Sequence, residues 1–321
     1  MKFDVVAIGE LLIDFTEHGI SEQGNPLWEA NPGGAPCNVL SMLSKLGRRV
    51  AFIGKVGDDV YGRQLADAVC ECGIDTSGLL FDKSVHTTLA IVHKKPNGDR
   101  DFGFYRDPGA DVMLRLHEVP AKLVDNARIF HFGTLSMTHD GAREATKYSV
   151  LRAKENGALI SFDPNLRQPL WKSEASMLDQ MKWGLGVCDI LKISDDEISL
   201  ITGESDPELA AKKLSKMYPQ IRIMCVTAGI NGSYCPRADK TVFVPSFKLD
   251  ETIETTGAGD AFCACMLNFV LGKGIDRISD GDVSEMMRFA SAAAALITTK
   301  KGALRVMPDI ADIKALLEKQ A

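Results

Sequence analysis

Short apolar runs alternate with longer amphipathic ones along most of this chain. The runs at 4–9, 50–54, 128–133, 158–163, 189–193 and 222–227 are rich in Val and Ile and mostly end at Gly or a polar residue. Runs of that length with no polar face predict strands buried on both sides, as in a parallel sheet. Between them, 36–46, 60–72, 140–156, 174–185 and 206–217 read as helices. The alternation predicts an α/β fold, an open and mostly parallel central sheet with helices on both faces. Ligands of such sheets bind beyond the carboxyl ends of the strands.

Two stretches interrupt the alternation. Residues 15–32 are polar and read as irregular. In 87–106 the runs 89–95 and 100–106 flank Pro96-Asn97-Gly98-Asp99, and Asn-Gly between β-like runs signals a hairpin. Neither stretch has enough apolar sequence for its own core. The expectation is one domain, 1–321, with a small β lid built from about 15–32 and 87–106. Such a flap either covers a site or merely decorates the surface. Its open edges also offer a route to a homodimer.

The stretch Glu254-Thr255-Thr256-Gly257-Ala258-Gly259-Asp260 precedes an apolar run, 261–271, long enough for about three helical turns. Small residues therefore stand where a helix begins. Its first N–H groups lack partners and carry partial positive charge, which suits a phosphate. Asp260 is the one charge between Glu254 and Lys273. Beside an anion site a carboxylate repels unless it has a proton to collect, the arrangement a kinase needs. A glycine turn whose Asp is favoured by the helix dipole has the same pattern.

Composition narrows the classes. Hydrophobic residues at 45% and charged residues at 25% are ordinary globular values, and the formal charge of −6 comes with no basic block. Nucleic acid is therefore not an expected partner. Residues 1–9 lack the basic segment and cleavage site of a secretory signal, and no apolar run approaches membrane-spanning length. The expectation is a soluble cytoplasmic protein. The eight cysteines are scattered without a CxxC, and Cys70/Cys72 and Cys263/Cys265 fall on helical segments where positions two apart face nearly opposite ways. They read as buried free thiols, and a structural metal is not expected.

Several loops offer polar groups at the expected edge. Gly33, Gly34 and Asn38 open a helix with backbone donors and one amide, and Asp14 follows the first strand, a mixture suited to a polyol. Arg106 follows the flap and reads as free to swing with it over a sugar or phosphate, or as a surface ion pair. Arg167, after Asp163-Pro164-Asn165-Leu166, carries the same two readings. Ser194 and Glu197 form a capping box, and Glu197 is also suited to hold a water of a Mg²⁺ ion. Thr227, Gly229 and Gly232 end a strand in turn residues suited to a phosphate or ribose, and the Ala-rich 290–295 admits a neighbouring helix or a flat ligand, core packing being favoured. There is no P-loop, and Phe262 occupies the third glycine position of a dinucleotide fingerprint.

Together, Gly33-Gly34-Ala35-Pro36-Cys37-Asn38 and Thr255-Thr256-Gly257-Ala258-Gly259-Asp260 resemble the two signatures of the ribokinase-like (PfkB) carbohydrate kinases. Phe104-Tyr105-Arg106-Asp107-Pro108-Gly109-Ala110-Asp111 and Asp163-Pro164-Asn165-Leu166-Arg167-Gln168-Pro169-Leu170-Trp171 are most similar to the forms found in fructokinases. The resemblance implies a ribokinase-like α/β fold with a small β-sheet lid. It also implies ATP as phosphoryl donor, Mg²⁺ on the phosphates, and fructose as acceptor. By the same likeness Asp260 is the general base, and the amides of Gly257, Ala258 and Gly259 form an anion hole. Asp14, Gly33, Gly34, Asn38, Arg106 and Arg167 would hold the sugar, and Lys192, Ser194, Thr227, Gly229 and Gly232 would line the nucleotide groove. Glu254 stands where relatives have an Asp that helps hold a monovalent cation such as K⁺, Ser194 stands where Asn is frequent, and Leu40 replaces a small residue. A kinase of the same fold acting on ribose, a nucleoside or 2-keto-3-deoxygluconate, and a sugar sensor without catalysis, are the competing readings.

Overall fold

The computed structural model describes residues 2–94, 100–238 and 240–320, with side chains except at 92–94 and 100–102. The chain enters through β1 (Phe3–Ile8) and at once leaves the larger sheet for β2 (Leu12–Ile20) and β3 (Pro26–Gly33). It returns through α1 (Ala35–Lys45), β4 (Val50–Gly57), α2 (Val60–Glu71) and β5 (Asp75–Asp82). A second excursion forms β6 (Leu89–Lys94) and β7 (Arg100–Tyr105). Then come α3 (Ala121–Asp125), β8 (Ala127–Phe132), α4 (Asp140–Glu155), β9 (Leu159–Phe162), α5 (Glu174–Val187) and β10 (Ile190–Ser194). The last part holds α6 (Asp195–Thr202), α7 (Pro207–Met217), β11 (Ile223–Thr227), β12 (Ser233–Pro236), β13 (Thr241–Val244), α8 (Ala258–Lys273), α9 (Asp280–Ile297) and α10 (Ile310–Lys319).

The larger sheet runs β13-β12-β11-β10-β9-β8-β1-β4-β5. It is parallel from β11 to β5 and antiparallel at the β12–β13 margin. From β1 the chain builds first toward β5 and later, starting at β8, toward the opposite edge. The order therefore reverses beside β1, where a crevice opens at the carboxyl ends. Successive residues of β1 face opposite ways. Val5 and Ala7 join a core with α1, α8 and α9, whereas Val6 and Ile8 join one with α4 and α7. The strand thus lacks a polar face, as its sequence required.

The smaller sheet, β3-β2-β6-β7, stands apart from the larger one. Its β6–β7 pair is antiparallel, while the Asn97-Gly98 turn lies outside the described residues. Residues 15–32 are not irregular: β2 and β3 pair antiparallel from Leu12↔Gly33 outward. Only their inner ends are buried, so their outer residues are polar and give no apolar run. The thiols also differ in part from expectation, since Cys70 is exposed and Cys72 half-buried at the end of α2, while the other six are buried. Among the described residues no helix is long and apolar enough to cross a membrane.

Candidate active site

Helix α8 begins at Gly257, whose φ of 81° is left-handed and favours glycine. A β-carbon there would also stand 2.8 Å from that of Ala303 and 2.9 Å from Ile297 Cδ1. The preceding loop is tied down by the Ile253 and Glu254 N–H groups, which donate to the Thr298 carbonyl at 2.8 and 3.1 Å. In the first turn, the Ala258 N–H reaches the Thr255 carbonyl at 3.3 Å. Asp260 follows, buried, and its Oδ2 accepts from Asn38 Nδ2 of α1 at 2.8 Å. Burial raises its pKa above the usual carboxylate value, while the Asn38 bond, Lys192 and Arg167 pull it down.

A cavity of about 340 Å³ lies over this turn, lined by Glu10, Asp14, Gly34 and Asn38 together with Arg167, Lys192, Glu254 and Asp260. Burial pushes the carboxyl of Asp14 up to about 7, against the pull of Arg167. A β-carbon at Gly33 would overlap Asp14 Oδ2, and one at Gly34 would lie 2.5 Å from the Glu10 carbonyl. These two glycines let β3 and α1 close against the acidic groups. Arg167 Nη1 donates to Asn165 Oδ1 at 2.7 Å, with Asn165 held at φ 45°.

A second cavity, of about 260 Å³, is lined by Thr227, Gly229 and Gly232 from beyond β11 and by Phe247, Ser291, Ala294 and Ala295. The two cavities share Thr255 and Gly259. Core packing alone does not describe the alanine run: Ala290, Ala292 and Ala293 are buried in the core, but Ala294 and Ala295 face this groove.

Three positions differ from the sequence-based expectation. Arg106 does not ride on the flap, because it is 4% exposed and bound to the main body. Its Nε and Nη2 donate to Asp111 Oδ2 at 2.9 and 2.6 Å, Nη1 to Thr138 Oγ1 at 2.9 Å, and Nη2 to the Leu135 carbonyl at 2.9 Å. Lys192 lines the first cavity and not the groove, and it pairs with buried Asp163 at 3.2 Å. Ser194 lines neither cavity, since its hydroxyl caps α6 by accepting from the Glu197 N–H. Glu197 closes that capping box on the Ser194 N–H at 2.9 Å with one oxygen and accepts from the Leu166 N–H at 2.7 Å with the other. Glu254 accepts from Thr256 Oγ1 at 2.6 Å and from the Gly302 N–H at 3.1 Å.

Glu10 was missed by the sequence reading. It accepts from the Ala35 N–H at 2.9 Å at the start of α1, and burial pushes its carboxyl up to about 7. The signal was present, as a carboxylate two residues beyond the first strand lies at the edge where ligands bind.

Known proteins match the chain over nearly its whole length. Residues 2–310 match the pfkB family carbohydrate kinases. The chain belongs to that family. This carbohydrate kinase is 39% identical over 98% of its length to "Probable fructokinase-2" of Arabidopsis thaliana, 96% of which is covered. Its fold is ribokinase-like: it superposes on a fructokinase with bound ATP from Xylella fastidiosa with a TM-score of 0.87 at 29% identity, covering 99% of each chain. A fructokinase from Vibrio cholerae, solved with fructose, ADP and calcium, gives 0.87 at 29% identity over 98% of this chain and 99% of that one.

Proposed function

We propose that this kinase transfers the γ-phosphoryl group of ATP to the 6-hydroxyl of fructose. One observation carries the reading: a cavity rich in charge and an uncharged groove meet at Gly259, next to the buried Asp260. Sugar and nucleotide placed on the two sides bring hydroxyl and phosphate together at that seam, and the family and the fructokinase relatives support the choice of substrates.

Asp14 and the Asn38 amide accept and donate to sugar hydroxyls, Gly33 and Gly34 give them room, and Arg167 closes the far side. Arg106 serves as a wall support, holding the Leu135 carbonyl whose residue lines the cavity. Asp260, oriented by Asn38, accepts the proton as the sugar oxygen attacks. The amides of Gly257, Ala258 and Gly259 face the charge that develops on the phosphoryl oxygens. Thr227, Gly229 and Gly232 border the groove for the nucleoside, with Ala294 and Ala295 as the flat wall for its base.

Mg²⁺ supplies charge neutralisation on the phosphates. Among the described residues no group of three acidic, His or Cys side chains is arranged to hold a metal, which fits an ion held mainly by phosphate and water. Glu197, with both oxygens on backbone N–H groups, would hold such an ion only through a water. A K⁺ ion beside Glu254 belongs to the same reading, since its carboxylate is fixed at the loop leading into α8. A coupled assay of ADP release over fructose, glucose, mannose, ribose, adenosine and 2-keto-3-deoxygluconate tests the assignment. Fructose is expected to give the highest kcat/KM, and a clear preference for another acceptor overturns it.

A further inference from the structure

One carboxylate holds both feet of the β6–β7 pair. Thr88 immediately precedes β6 and Arg106 immediately follows β7, and the pairing of Leu89 with Tyr105 leaves these two feet at the same end. Asp111 lies in a single 3₁₀ turn, Ala110–Met113. Its Oδ1 accepts from Thr88 Oγ1 at 2.5 Å, and its Oδ2 from Arg106 Nε and Nη2 at 2.9 and 2.6 Å. Each oxygen thus serves one foot, and all three side chains are buried. The turn is fitted to this contact: the Ala110 N–H donates to the His86 carbonyl at 2.9 Å, and a β-carbon at Gly109 would overlap Thr88 Oγ1 at 1.8 Å.

From the two feet, contacts run on to two parts of the wall of the first cavity. The Thr88 carbonyl accepts from the Ile13 N–H at 3.1 Å, and the next residue, Asp14, lines the cavity. Arg106 Nη2 holds the carbonyl of Leu135, which lines it as well. Asp111 itself lines neither cavity. Support of the fold explains the arrangement poorly, because apolar residues of similar volume often stabilise a fold as well as a buried ion pair does. Nor does the pair supply much field: burial dominates the Glu10 carboxyl, and Arg106 and Asp111 act on it with opposite signs. What directional bonds add is a fixed distance between the groups they join.

We propose that Asp111 is a positioning residue for the acceptor sugar, setting the spacing between Asp14 and Leu135 through Thr88 and Arg106. The proposal rests on the kinase reading above. A sugar entering between walls fixed beforehand leaves less ordering to the binding step. Loosening that frame weakens the hold on the sugar in the ground state and the transition state alike. Such a loss raises KM for the sugar and leaves kcat nearly unchanged.

Three variants of the full chain test this: Asp111→Asn, Thr88→Val and the two combined. KM and kcat are measured for ATP and for the acceptor the parent uses best, and each assay is run below the variant's melting temperature. Asp111→Asn keeps the size of the side chain but turns an amide NH₂ toward one of its two donors. Its sugar KM should rise by about ten-fold, while kcat and the KM for ATP stay within about three-fold of the parent. Thr88→Val should raise the sugar KM by about three-fold, and the double variant should be no worse than Asp111→Asn alone, since both cut the same link. Lost stability alone lowers the melting temperature and the active fraction, hence the apparent kcat, and leaves the sugar KM where it was. The role is overturned if Asp111→Asn keeps the sugar KM within about two-fold of the parent, or if the KM for ATP rises in step with it. Losses that multiply in the double variant overturn the shared link. Should Asp111→Asn fail to fold, Thr88→Val decides by the same measure. A parent chain inactive on every acceptor overturns the kinase reading and this role together. An active parent whose sugar KM is untouched by these substitutions overturns this role alone.

Discussion

The two cavities on either side of Gly259 are built from opposite materials. Glu10, Asp14, Arg167, Lys192, Glu254 and Asp260 line the first, whereas no charged side chain among the described residues lines the second. The first has partners to orient hydroxyls and to move a proton, at the cost of carboxylates pushed above their ordinary pKa by burial, Glu10 and Asp14 up to about 7. The second offers Phe247, Ala294 and Ala295, surfaces that take up a flat ring without competing for its charge. On the proposed reading, chemistry is confined to one side of the seam and shape does most of the selecting on the other.

The largest effect expected from breaking this contrast comes at Asp260. Asp260→Asn keeps the shape and the Asn38 contact but removes the proton acceptor. Turnover should fall by about a hundred-fold or more while fructose binding stays measurable by calorimetry. A variant within a few-fold of the parent would contradict the base assignment.

Filling the groove should act differently. Ala294→Leu puts about three extra carbons into the flat wall, so the KM for ATP should rise by roughly ten-fold. The KM for fructose should hardly move. Equal changes in both constants would mean that the cavities are not separate in function.

The smallest effect sharpens the electrostatic half of the comparison. The Asp14 carboxyl titrates near 7 in the folded chain, against about 4 when unfolded. The folded state therefore keeps its proton longer. The associated stability is full below about pH 4 and is lost as pH rises toward about 7. Asp14→Asn removes this dependence, so the decline in Tm between pH 5 and 8, measured without ligands, should be shallower than in the parent by roughly 2–4 °C. Parallel melting curves for the two proteins would show that Asp14 is not held in this way.

How much of this was legible in the sequence depended on burial. β1, β4 and β8 to β11 have neighbours on both faces, so apolar composition alone marked them. β2 and β3 were missed as strands because their outer halves meet solvent and tolerate polar residues. Asp260 and Asn38 stood out through the motifs around them, and the structure brings the two within 2.8 Å. The likeness grouped Lys192 with Ser194 at the groove, whereas Lys192 stands on the wall of the first cavity and Ser194 caps α6, a split that only the direction of the two side chains at the end of β10 reveals. For Arg106 the sequence left open a swing with the flap and a surface ion pair, and the structure shows an ion pair with Asp111, but a buried one. Its fixation depends on Asp111, Thr138 and Leu135, and the contacts with Thr138 and Leu135 span about thirty residues of chain that no local pattern connects.

That fixation has a mechanical consequence. β7 ends at Tyr105, and the next residue is fastened to the main body, while β2 leaves that body at buried Leu12. The other two strands meet the body at the same end, β3 at buried Gly33 and β6 beside buried Thr88. The small sheet is thus clamped along one whole edge, like a board in a vice. Asp14 and Phe104, both on the cavity wall, stand close to the clamp, while the polar outer ends of β2 and β3 are cantilevered into solvent.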